Sequence, residues 1–214
     1  MTATTTKTTR SRQAVRMLAG AVTGAVATIA FMELVGKPRL DSADPGVVLA
    51  IIAGLIYALI GLAVGIGALA PRQGAVFLNV EDADEIREQR ANLAPSAVSC
   101  ILIGAFLLLL ALAPVEGSGD RILWAAAGAA CLLGVAAIAL FTRRRSDELM
   151  RQVSVEASAF AFHLALAALA VWALLAHLGY AEWMTPLTLI AGLALLSLVA
   201  VFWKAARKGM MAPR

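Results

Sequence analysis

The chain has 214 residues, of which 61% are hydrophobic and 15% charged, and its mean hydropathy is +0.83. A soluble globular domain is about half apolar and about a quarter charged, so this composition excludes an ordinary soluble enzyme or binding domain. The net charge of +4 is gathered in particular connections between apolar runs. Membrane topology accounts for it better than nucleic-acid binding does.

The N-terminal segment, residues 1–14, is polar and then basic, and the apolar run after it is longer than the core of a secretory leader. It reads as an uncleaved first span over Val15–Val35. Runs near the ~20 residues that cross a bilayer then recur over Val47–Ala70, Pro95–Ala113, Ile122–Phe141, Ala157–Leu178 and Leu187–Trp203. The short alternating strands of a membrane β-barrel do not occur. The expected fold is all-α: a polytopic membrane protein of six helices in three hairpins, with a basic tail over residues 206–214.

The basic residues orient these spans. Fifteen of the eighteen Lys and Arg fall on one side of a six-span arrangement, and only Lys37, Arg39 and Arg121 on the other. The positive-inside rule places the fifteen in the cytoplasm, with both termini inside. Trp124, Trp172, Tyr180 and Trp183 fall near the outer boundary and Trp203 near the inner one, where an apolar ring with a polar tip is favoured. Gly20/Gly24 and Gly61/Gly65 are small pairs four apart that let helix backbones approach. They suit packing within the bundle or a dimer face.

Two charged segments precede spans. The first, residues 81–94, carries Asp84, Glu85 and Gln89; the second, residues 146–156, carries Asp147, Glu148, Arg151 and Gln152 at the same internal spacing of acid pair and glutamine. Ser96-Ala97 and Ser158-Ala159 follow after a one-residue slip. The repetition reads either as capping chemistry that occurs twice, since acids suit a helix N-terminus, or as duplication of a loop-plus-hairpin unit. Pro95 cannot continue a preceding helix but fits the first turn of a new one. A short amphipathic helix is therefore expected to end there. No proline follows Ser146, so the second segment is expected to run unbroken into its span, with Asp147 facing Arg151. Arg143, Arg144 and Arg145 form a headgroup anchor.

Chemistry-bearing groups are sparse. Cys100 and Cys131 stand alone inside apolar runs, with no metal-ligand spacing. His163 and His177 lie fourteen residues apart on one face, about 21 Å along a helix. With no other histidine in the chain, axial haem ligation would need a second copy, and packed or interfacial histidines are the simpler reading. Glu33 lies near the outer end of the first span, where it reaches water or serves a transport path. Ser99, Ser154 and the threonines show no base partner in the sequence. No enzymatic activity, cofactor or metal is expected.

Asp147-Glu148-Leu149-Met150-Arg151-Gln152, followed by Ala157, Ala159-Phe160 and two spans, resembles small bacterial inner-membrane proteins. In these an acidic segment precedes a transmembrane hairpin, and the gene often neighbours one for a helix-turn-helix regulator. The resemblance covers about the last 70 residues well and residues 81–142 loosely. It implies an inner-membrane protein that holds or antagonises a cytoplasmic transcription regulator through Asp84, Glu85, Gln89, Asp147, Glu148, Arg151 and Gln152, without touching nucleic acid itself. A small oligomeric transporter or channel, or an accessory subunit of a membrane complex, is the alternative.

Overall fold

A computed structural model describes residues 24–26, 29, 33, 44–70, 83–113, 121–145 and 148–208, with the backbone alone at 83–89, 145, 149 and 150. The chain divides into two units, Met1–Ala43 and Asp44–Arg214. In the first, residues 24–26, 29 and 33 are helical, and Glu33 is exposed; the rest of the expected first span lies outside the described residues.

Among the described residues the second unit contains five helices: α1 (Pro45–Leu69), α2 (Ala83–Leu112), α3 (Arg121–Arg145), α4 (Glu148–His177) and α5 (Pro186–Arg207). All five are long and apolar enough to cross a membrane, and no strand occurs among the described residues. The chain is a helical, multi-pass membrane protein.

Two of the helices begin alike. Asp44 caps α1 by accepting the Gly46 amide at 2.7 Å, and Thr185 caps α5 by accepting the Thr188 amide at 3.3 Å. Pro45 and Pro186 fill the first helical positions, where a missing N–H costs nothing. A methyl group added at Gly46 would stand 2.8 Å from Thr185 Oγ1. The two helix starts are therefore neighbours, and α1 and α5 run parallel. At its far end α4 closes with Gly179 at φ 77°. The Tyr180 amide donates to Leu175 O at 2.9 Å and the Gly179 amide to Ala176 O at 3.1 Å, the paired bonds of a Schellman turn.

α1 packs against α2 on one side and α5 on the other; α3 lies on α2, and α4 on α5. With lipid outside rather than water, close packing holds such helices together. At the α1–α2 crossing the backbones nearly touch: a Cβ on Gly104 would lie 2.7 Å from Gly54 O, and one on Gly61 2.7 Å from Ala97 O. The Gly61/Gly65 pair thus serves packing inside the bundle. Gly20 lies outside the described residues. Ala50, Ala53, Tyr57, Leu107 and Ala191 form the buried core, and the Tyr57 hydroxyl donates to Ala194 O of α5 at 2.8 Å. α3 and α4, at the two ends of this series, expose most of their apolar side chains, including Leu133 and Phe162.

One expectation fails. Pro95 does not separate two helices; α2 runs through it from Ala83 to Leu112. The proline deprives the Ala91 carbonyl of its helical partner, but Ala91 is exposed and can be served by solvent. One position on, the Ser96 hydroxyl donates to Asn92 O at 2.9 Å. Membrane helices carry proline where water or neighbouring groups take up the freed backbone, and here the freed group is the Ala91 carbonyl, not Asn92 O. α4, with no proline, runs unbroken from Glu148.

Candidate functional site

The N-terminal part of α2, the C-terminal part of α3 and the N-terminal part of α4 enclose a cleft of about 850 Å³. It exists because α3 rests on α2 while α4 rests on α5, which leaves α3 and α4 apart on this side. Each wall is a stripe at helical spacing: Pro95, Ser96, Ser99 and Cys100 from α2; Ile138, Ala139, Thr142 and Arg143 from α3; Arg151, Ser154, Ser158 and Phe162 from α4. The volume lies in the ~300–1,000 Å³ range of small-molecule sites.

The walls are mainly apolar, with hydroxyls set into them and two guanidinium groups beside them. Ser96 spends its hydroxyl on Asn92 O. Ser99, Ser154 and Ser158 form no such bond among the described residues. His163, also in the lining, makes a 2.7 Å contact from Nδ1 to Ala159 O. A carbonyl only accepts, so Nδ1 carries the hydrogen and Nε2 is the acceptor of the neutral ring.

The opposite flank of α4 is fastened to α5. Glu156 Oε2 lies 3.0 Å from Lys208 Nζ, and Lys204 Nζ lies 5.3 Å from the centre of the Phe160 ring. Toward the C-terminal end of α4, Trp172 donates its indole N–H to Glu182 O at 3.1 Å, the kind of partner an indole N–H usually finds.

The residues singled out from sequence distribute as follows. Asp84, Glu85 and Gln89 lie in the first turns of α2, their side chains outside the described residues. Asp147 lies outside them altogether, and with it the expected contact to Arg151. Arg151 instead stands 3.6 Å from Glu148, both largely exposed. Gln152 is exposed. Arg143 and Arg144 are exposed near the end of α3 and Arg145 is its last residue; of these, Arg143 borders the cleft. The serines of the two repeated segments converge: Ser96 from α2 and Ser158 from α4 face the same space. Their alanine neighbours do not match in setting. Ala97 is buried, facing Gly61 and Gly65 of α1, whereas Ala159 borders the cleft.

Sequence reasoning missed the convergence of hydroxyls. It left Ser99 and Ser154 without a base, whereas the fold brings His163 to the same cleft. The stripe Arg151–Ser154–Ser158–Phe162 was the available signal, at steps of three and four residues. No group of three or more His, Cys, Asp or Glu side chains that could hold a metal occurs among the described residues. His177 lies apart from the cleft, in the last turn of α4. Comparison with protein-family models, with curated proteins and with solved structures finds no match to this chain.

Proposed function

We propose that this is a six-span inner-membrane interaction protein of a bacterium, with both termini in the cytoplasm, that docks a soluble partner through the starts of α2 and α4. The partner class that suits the acidic segments is a transcription regulator held at the membrane. The observation that carries the reading is the start of α4. Glu148, Arg151 and Gln152 stand exposed there, on a helix that continues rigidly into its span. A preorganised, charged helix end offers directional hydrogen bonds at little ordering cost. Arg143–Arg145 fix its height at the lipid surface.

The test is affinity purification in mild detergent. The wild type is compared with a variant in which Asp84, Glu85, Asp147 and Glu148 are all changed to Lys. A soluble DNA-binding protein recovered with the wild type alone is the expected result. Equal recovery with both would remove these residues from the interface.

The second reading is a small oligomeric transporter, favoured by the cleft between the α2–α3 and α4–α5 hairpins. It predicts solute flux in proteoliposomes, reduced by Glu33→Gln. Accessory subunits of a membrane complex would instead copurify with membrane partners.

A further inference from the structure

We propose that the cleft between α2, α3 and α4 is a binding site for an anionic membrane phospholipid, with the lipid phosphate held between Arg143 and Arg151. This inference shares Arg151 with the docking surface but does not need a docked partner.

Three features point to that occupant. The first is charge. Arg143 and Arg151 border the cleft from facing helices, and Arg143 makes no ion pair among the described residues. Among the described residues Arg151 pairs with Glu148 alone, an exposed 3.6 Å contact from one guanidinium nitrogen that is weak. Guanidinium groups bind phosphate oxygens through paired, charge-assisted hydrogen bonds. The second is the set of unspent hydroxyls: Ser99, Ser154 and Ser158 offer O–H donors within the same walls. In helices such hydroxyls commonly bond the carbonyl four residues back, as Ser96 and Ser197 do here.

The third is position. Arg143 and Arg151 sit at the ends of two stretches long and apolar enough to span a membrane, Arg121–Arg144 and Arg151–His177, and the ends of such stretches fall at the level of the lipid phosphates. From Arg151 the lining continues to Phe162, about 16 Å into the span at 1.5 Å per residue. Ile138, Val155 and Phe162 give that depth an apolar wall suited to an acyl chain. A soluble phosphate compound would leave this wall unused; a phospholipid uses both parts.

The experiment is native mass spectrometry of the detergent-purified chain after controlled delipidation, with phosphatidylglycerol, phosphatidylcholine or inorganic phosphate added back. Wild type is expected to retain phosphatidylglycerol over phosphatidylcholine. The R143Q/R151Q variant should lose at least roughly tenfold of that retention, the loss expected from one hydrogen bond to a charged group. R144Q, next in sequence but outside the lining, should behave as wild type. Ser158→Leu fills the cleft without altering charge and should also reduce retention, which guards against misfolding of the double arginine variant. Equal retention by wild type and R143Q/R151Q, or an equal loss in R144Q, would overturn the site in favour of diffuse surface attraction. Binding of inorganic phosphate without lipid retention would overturn it in favour of a soluble ligand.

Discussion

Lys208 Nζ at the end of α5 lies 3.0 Å from Glu156 Oε2 on α4, and one turn deeper on both helices Lys204 rests over the Phe160 ring at 5.3 Å. The two contacts run in opposite chain directions, so they fix an antiparallel pair and its register. They also hold the flank of α4 that faces away from the cleft, so the stripe from Arg151 to Phe162 is presented by a helix anchored from behind. We expect E156K and K208E each to lower the thermal midpoint of the detergent-solubilised protein, and the double swap to recover most of the loss. The single-variant losses should shrink at high salt, because both partners are partly exposed and screened. Additive losses in the swap would mean that the pair does not form.

Tyr57 is the other long-range tie. Its hydroxyl reaches Ala194 O across 137 residues of chain, joining α1 to α5 in the core. The carbonyl keeps its own helical amide when the hydroxyl is removed, so the cost of Tyr57→Phe should stay near the interhelical average in membranes, about 0.6 kcal/mol and at most about 1.7 kcal/mol. Reversible unfolding in mixed micelles measures it. A loss well above that range would show that the hydroxyl also serves a second group.

The all-helical class and the five long apolar helices were legible in the sequence, because apolar run length carries that information. Pro95 was misread for a physical reason. The cost of proline inside a helix, about 3 kcal/mol, combines a lost hydrogen bond with a ring clash against the carbonyl four residues back, and the first part falls where that residue is exposed, as Ala91 is. Of the cleft, the sequence held only the α4 stripe from Arg151 to Phe162. Arg143, Ser99 and Ser158 lie on three separate helices with no spacing that joins them, and only the neighbour order α3–α2–α1–α5–α4 turns them toward one space. Gly61 and Gly65 were legible as a packing surface, but their partner, Ala97 of α2, was not.

The glycines allow a sharper comparison. A Cβ at Gly104 would meet Gly54 O at 2.7 Å and Ala58 N at 2.8 Å, both backbone atoms that cannot step aside, while one at Gly192 would meet nothing within 4 Å. Gly104→Val should therefore destabilise by at least the ~1–3 kcal/mol typical of overpacking. Gly192→Ala should be neutral or stabilising by up to about 1 kcal/mol, since alanine is the better helix former. The same unfolding assay reads both. Similar values for the two would contradict the close α1–α2 crossing.

Pro95→Ala separates the two descriptions of α2. If the helix is continuous, alanine supplies the N–H that the Ala91 carbonyl lacks and extends an existing ladder by one bond. Hydrogen exchange across residues 90–98 should then slow, with little change elsewhere. If Pro95 instead opened a new helix after a turn, its fixed φ would be helping to start that helix, and alanine would speed exchange there. The outcome also bears on the cleft, since Pro95 and Ser96 form its α2 wall. In a continuous helix their direction is set by the same register as Ser99 and Cys100, so P95A should leave the facing of Ser96, Ser99 and Cys100 unchanged. A fall in phosphatidylglycerol retention accompanied by faster exchange would place the turn, and not the helix, at the mouth of the cleft.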